Sequence, residues 1–254
     1  MLNIDKNVGN VRFNFGATAT YVKSEVTKRD ELFLDAYQNR KGKPADAIFG
    51  LVSKGFFMDQ NDITTSARQL FSEVKPGDIK YVDQNNDKVI DSRDEVMIGR
   101  FIAPLTFGIN LSVGYKNFNL FVLGTGNKGA DGLKNNNYYW VSGDIKYSDV
   151  VLNRWTPGTA TTASYPRLSS QSNNNNFRSS DFWLYKTDRF NLSKVQLTYN
   201  LPGTMLSKTF VRGLLVYVAG SNLYTFSKNQ RILDFSVAST PQFKNYNVGI
   251  KAQF

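Results

Sequence analysis

Alternation constrains this chain more than any other feature. In its final stretch, Asn245 to Phe254, the residues Tyr246, Val248, Ile250, Ala252 and Phe254 fall on one parity. Asn245, Asn247, Gly249, Lys251 and Gln253 fall on the other. Successive side chains of a β-strand point to opposite faces, so this segment carries one apolar face and one polar or small face. A soluble antiparallel sheet turned onto a core satisfies that pattern, and so does a strand with hydrocarbon on one side.

The pattern recurs along the chain. Val11, Phe13, Phe15, Ala17, Ala19 and Tyr21 alternate with Arg12, Asn14, Gly16, Thr18 and Thr20 within a strand expected over 10–23. Leu105, Phe107, Ile109, Leu111, Val113 and Tyr115 alternate with Thr106, Gly108, Asn110, Ser112 and Gly114. A tight turn over 114–117 then leads into Phe118, Leu120 and Val122. Further strands are expected over 188–201 and 211–224, the first with a parity slip, and hence a bulge, near Ser193 and Lys194. With the final stretch, six strands emerge.

The connections between them differ sharply. Residues 24–97 and 128–186 lose alternation and fill with polar residues, Gly and Asn, so both read as long loops. Asn-rich patches at 135–137 and 173–176 read as turn-forming loop, and a helical turn capped by Asn61 or Asp62 is expected within 61–73. Between the others lie tight turns after Gly114 and Leu201 and a loop of moderate length over 227–242. Transmembrane barrels segregate their connections in this way, with short periplasmic turns and long extracellular loops. Eleven strand residues at about 3.3 Å each, tilted about 45°, rise roughly 25 Å, the height of a barrel's apolar band. The expected fold class is therefore all-β, an antiparallel transmembrane β-barrel segment with long extracellular loops. Six strands cannot close such a barrel, and open edges in lipid cost several kcal/mol per unpaired backbone group. The chain is expected to be a piece of something longer, an expectation that Leu-Asn-Ile-Asp after Met1, in place of a secretory signal, reinforces.

Composition removes several function classes. The longest apolar runs fall far short of a membrane helix. With no cysteine and no histidine, disulfides, the usual zinc sites and the commonest general base are gone. No Gly-x-Ser-x-Gly or phosphate-cradling loop is present, so an enzyme is not expected. The formal charge of +10 is scattered and joins no nucleic-acid-binding motif. It suits anionic lipopolysaccharide or acidic sugars, and nucleic acid is not an expected partner.

Two groups of residues are candidate sites. Asp83, Asn85, Asp87, Val89 (through its carbonyl), Asp91 and Asp94 fall at positions 1, 3, 5, 7, 9 and 12 of an EF-hand-like loop, the spacing that converges oxygens on calcium. Lys88 replaces the usual glycine of that loop, and Asp94 the usual bidentate glutamate. The alternative is an Asx-rich turn neutralised by Lys88 and Arg93. Tyr139, Trp140 and Trp155 lie in the second long loop and are candidate platforms for substrate, or else aromatic packing. Lumen-side Arg12, Asn247 and Lys251 read as hydrogen-bonded wall.

Several ordered motifs carry a family resemblance. Gly77-Asp78-Ile79-Lys80-Tyr81-Val82-Asp83-Gln84-Asn85-Asn86-Asp87, continuing through Ile90-Asp91 to Ile98-Gly99, resembles the signature loop of the SusC/RagA family of TonB-linked outer-membrane proteins. Trp155-Thr156-Pro157, Tyr165-Pro166-Arg167-Leu168, Ser180-Asp181-Phe182-Trp183-Leu184, Val195-Gln196-Leu197-Thr198-Tyr199 and Ser221-Asn222-Leu223-Tyr224 resemble its later segments in order. The resemblance implies part of a barrel of roughly 22 strands in the outer membrane. It also implies TonB-dependent import of oligosaccharide or peptide beneath a SusD-like lid lipoprotein. A plug, a TonB-contacting segment and amino-terminal domains have no counterpart in these 254 residues, so the match is to the carboxy-terminal part and the fragment alone is not expected to transport. A different class, a calcium-dependent carbohydrate-binding β-sandwich, would instead bury the apolar faces against each other.

Overall fold

The computed structural model describes residues 1–171, 174–207, 209–234 and 242–254. The chain divides into two compact units, one of residues 1–22, 103–130 and 186–254, the other of 23–102 and 131–185.

The first unit is one antiparallel sheet of seven strands in chain order: β1 (Leu2–Val8), β2 (Val11–Tyr21), β3 (Leu105–Tyr115), β4 (Phe118–Lys128), β5 (Arg189–Asn200), β6 (Gly213–Phe226) and β7 (Asn245–Gln253). Six were expected, and β1 is the addition. Its parity is broken by Lys6, which sits opposite Phe13 in the apolar set. Gly9, in the left-handed conformation at φ 57°, makes the two-residue turn into β2. The expected bulge is present: Leu192 and Lys194 are both paired on either side of an unpaired Ser193, in the registers with β4 and with β6. Residues 235–241 of the expected 227–242 loop lie outside the described residues.

Register turns the strand alternation into rows. Phe13 pairs with Val113, Val113 with Leu120, Leu120 with Leu197, Leu197 with Val218 and Val218 with Val248. A neighbouring row runs Val8, Val11, Tyr115, Phe118, Tyr199, Val216, Ile250. Directly opposed residues share a face, so six or seven strands present one continuous apolar surface. On the other face run Asn7, Arg12, Gly114, Asn119, Thr198, Tyr217 and Gly249. Aromatics lie over glycines within each face: a Cβ on Gly126 would come within 2.4 Å of the Phe107 ring, and one on Gly249 within 2.4 Å of Tyr217.

The apolar rows are open. Phe13 is 37%, Leu197 47%, Val218 54%, Val248 76%, Ile250 70% and Phe254 70% exposed. The sandwich alternative required these residues inside a two-layer core, and they are not. Among the described residues no helix is long and apolar enough to cross a membrane.

The second unit is not irregular loop. Ala47–Gly50 pairs with Val96–Arg100, Ser53–Phe56 with Ile79–Tyr81, and Arg68–Gln69 runs parallel to Val89–Ile90. The helix Gln60–Thr65 is capped by Asp59, whose side chain accepts from the Asp62 amide, and not by Asn61 or Asp62. The core draws on both long connections: Leu51, Ile79, Tyr81 and Ile90 from the first, Val141, Val151, Tyr165 and Trp183 from the second.

Candidate functional site

The motifs that resemble a known signature meet in the core of the second unit. Gly77 holds φ 89° with its Cα beneath the Trp155 indole, where a Cβ would fall 2.4 Å from the ring. The next residue, Asp78, is fully buried. Its carboxylate accepts from the Lys75 amide at 2.7 Å, from Asn176 Nδ2 at 2.7 Å and from Arg167 Nη2 at 3.0 Å. Arg167 Nε also lies 2.8 Å from Asp78 Oδ1, without the alignment of a hydrogen bond. The Arg167 amide donates to Gly77 O at 2.9 Å, and the Trp155 amide to Tyr165 O at 2.8 Å.

Asn175 and Asn176 complete the network, and both are fully buried. Gln69 Nε2 donates to Asn175 Oδ1 at 2.6 Å, Tyr81 Oη to Asn175 O at 2.8 Å, and the Ile79 amide to Asn176 Oδ1 at 2.8 Å. Trp183 Nε1 donates to Asn176 O at 2.8 Å. Asn174, Asn175 and Asn176 do form a turn, as expected, but Asn175 and Asn176 carry it into the core, and Asn173 lies outside the described residues. Buried amides need partners, and here each supplies the backbone of the signature strand. Burial pushes the Tyr81 hydroxyl pKa up and that of Tyr165 up to about 12.

Most oxygens of the acidic loop bond locally, and Asp83 Oδ1 is buried with no hydrogen-bond partner among the described residues. Asp83 Oδ2 accepts from the Lys88 amide at 2.8 Å, Asn85 Oδ1 from the Asp87 amide at 3.1 Å, and Asp87 Oδ1 from the Val89 amide at 2.9 Å. Asp91 and Asp94 form a capping box around Ser92–Asp94. The buried Asp94 carboxylate accepts from the Gln84 and Asp91 amides. Arg93 Nη2 sits 2.6 Å from Asp87 Oδ2 and 3.1 Å from Asp91 Oδ2. Burial pushes the Asp94 carboxyl up, and the Arg93 hydrogen bond holds Asp91 below the usual carboxylate range. Lys88 adopts φ 66°, the left-handed backbone that favours glycine, at a cost of about 1 kcal/mol. Val89 begins a short strand. Among the described residues no three His, Cys, Asp or Glu side chains gather as a metal-holding group. The six candidate ligands share one loop.

The aromatic candidates sit against the same core. Trp155 is only 8% exposed, which leaves it no open ring face for a substrate. Trp140 is half-buried, 5.9 Å from Phe177 and 6.4 Å from Trp183 between ring centroids. Tyr139 is half-buried and edge-on to Tyr138 at 5.0 Å. None of the nine candidate residues lines a cleft of about 850 Å³ between Phe57, Ile63, Arg68, Leu70, Glu73 and Lys75.

An open meander with one exposed apolar face, interrupted by two polar insertions that fold together, is the architecture of a segment of an outer-membrane barrel wall. Comparison with known proteins agrees. The chain is 28% identical over 195 residues to TonB-dependent receptor P26 of Formosa agariphila, covering 76% of this chain and 19% of that protein. It is 22% identical to TonB-dependent receptor P3 of the same organism, covering 98% of this chain and 28% of the relative. The solved RagAB peptide importer in its open-open state has the same fold over 99% of this chain and 27% of its own, with a TM-score of 0.70 and 18% identity. Another RagAB peptide transporter structure matches equally, at 20% identity. No protein-family model matches the chain. The chain thus resembles SusC/RagA-type proteins, and it spans 19% and 28% of the length of the two curated relatives it matches.

Proposed function

We propose that this chain forms part of the wall and outer face of a TonB-dependent importer in the outer membrane. One observation carries the reading: apolar residues meet in register across the sheet and remain open, as hydrocarbon contact requires. The relatives' names, TonB-dependent receptors, supply the energy coupling. Antiparallel connectivity sends both long insertions from the same end of the strands, and we assign 24–97 and 128–186 to the extracellular side. Lipopolysaccharide and lipid would cover the apolar rows. A SusD-like lipoprotein and an oligosaccharide or peptide would meet the insertions, and strands beyond β1 and β7 would close the barrel, with TonB engaging a plug carried elsewhere. The RagAB importer, a fold relative, takes peptide; here the cargo is a separate question, and no catalytic role is assigned.

Membrane fractionation tests the reading. The protein should sediment with outer membranes, require detergent for release and expose lysines of the second unit, such as Lys54, to a membrane-impermeant amine label on whole cells. Recovery in the soluble fraction would overturn it. Loss of uptake in cells lacking TonB would establish the energy source.

A further inference from the structure

A second hollow in the insertion unit is small, about 180 Å³, and is lined by Lys134, Tyr139, Asn153, Ser164, Tyr165 and Trp183 among others. Tyr165 and Trp183 are buried, while Lys134 and Tyr139 are half-buried. The Lys134 amide donates to Trp183 O at 2.9 Å, which ties its backbone to the aromatic core. Its ammonium lies 5.9 Å from the centre of the Tyr139 ring, within cation–π range. Among the described residues no carboxylate pairs with it, and no acidic residue lines the hollow. Burial alone pushes the Lys134 pKa down, with no acid to offset it. Ammonium groups taken out of water are normally paired. Two further polar groups line this hollow: the exposed Asn153 amide and Ser164 hydroxyl make no side-chain hydrogen bond to protein among the described residues.

We propose that this hollow is a binding subsite for one carboxylate-bearing sugar residue of an oligosaccharide, with the carboxylate on Lys134, the ring against Tyr139, and ring hydroxyls on Asn153 and Ser164. The proposal rests on the import reading above. Size argues for a single residue, since pockets for whole drug-sized ligands begin at about 300 Å³. Chemistry argues for a sugar: the free polar groups are side-chain amide, hydroxyl and ammonium clustered around an aromatic wall. A peptide is more often held by main-chain hydrogen bonds along a strand edge. The lone cation selects the acid, through a charge-assisted hydrogen bond.

The test is calorimetry on the detergent-purified protein with three probes: a glucuronate-containing oligosaccharide, the same oligosaccharide with its carboxyl reduced to an alcohol, and a tetrapeptide with a free carboxy-terminus. The wild type should bind the acidic oligosaccharide roughly tenfold or more tighter than the reduced one. Lys134→Gln should erase that preference and leave affinity for the reduced probe unchanged. Asn153→Ala should weaken both sugar probes alike. An acid preference that survives Lys134→Gln, no binding of either sugar, or tighter binding of the tetrapeptide through Lys134 would each overturn the proposal. Fractionation separates the two readings. Outer-membrane recovery without an acid preference defeats the subsite alone, whereas soluble recovery defeats the importer whatever the hollow binds.

Discussion

Arg167 reaches Asp78 across 89 residues of sequence, Nη2 to Oδ2 at 3.0 Å, and the carboxylate it meets is fully buried. The pair joins the first long insertion to the second. Removing one member of a buried pair strands the other charge and typically costs about 3–5 kcal/mol, whereas replacing both can be nearly neutral. Arg167 retains some solvent, so the lower end applies. Arg167→Met should therefore destabilise the insertion unit by about 3 kcal/mol, and Arg167→Met with Asp78→Leu should cost less than that single change. Urea unfolding followed by tryptophan fluorescence measures both, since Trp140, Trp155 and Trp183, the chain's three tryptophans, all lie in this unit.

Gly77→Ala meets two obstacles at once: a left-handed φ of 89° and the Trp155 indole 2.4 Å from the new methyl. The conformational cost alone is about 1 kcal/mol, and overpacking adds about 1–3 kcal/mol. The same fluorescence unfolding should show a loss exceeding that of Gly42→Ala, whose φ is 79° but whose Cβ would touch nothing within 4 Å.

The two faces of β7 should respond oppositely to charge. Val248→Lys places an ammonium in the apolar rows, at a cost of about 2–4 kcal/mol near the bilayer midplane, and should lower the amount of protein recovered in outer membranes. Asn247→Lys, one residue away on the polar face, should leave recovery near the wild-type level. Equal effects would contradict the assignment of the faces.

Calcium titration separates the two readings of the acidic loop. With its carboxylates engaged by backbone amides and Arg93, the wild type should show no saturable heat up to millimolar calcium. Arg93→Ala removes the internal cation and should destabilise the loop. Binding at micromolar calcium would show that the six ligands rearrange around an ion.

Acid should loosen the helix Gln60–Thr65. The Lys80 ammonium, 2.7 Å away, holds the Asp62 carboxyl below its ordinary 3.8. A carboxyl whose pKa is lower in the folded state binds fewer protons there than in the unfolded chain. Its stabilisation is thus complete above 3.8 and disappears as pH falls through the lower folded value. Asp62→Asn should flatten that acid limb of the stability profile while leaving its neutral portion parallel to wild type.

The strands were readable because hydrophobic alternation survives in ten-residue windows, as in Leu105 to Tyr115. Leu2–Val8 escaped because Lys6 occupies an apolar position and the strand is short. The insertion unit was unreadable for a different reason. Its strands are two to five residues long, too few repeats for alternation to stand out, and its cohesion comes from buried amides such as Asn175 and Asn176 that look like turn formers. The acidic loop's spacing was visible, but whether its oxygens converge depends on where Arg93 points. The hollow beside Lys134 left no linear signature, since Lys134, Asn153, Ser164 and Trp183 meet only through folding.

Because Ile79 and Tyr81 come from one insertion while Tyr165 and Trp183 come from the other, neither can be transplanted by itself. A chimaera that borrowed residues 23–102 from a relative and kept 131–185 would mate two half-cores never selected for each other, with Asp78 and Arg167 as the first casualties. Exchange of these insertions between such proteins is therefore expected to succeed only when both segments travel together.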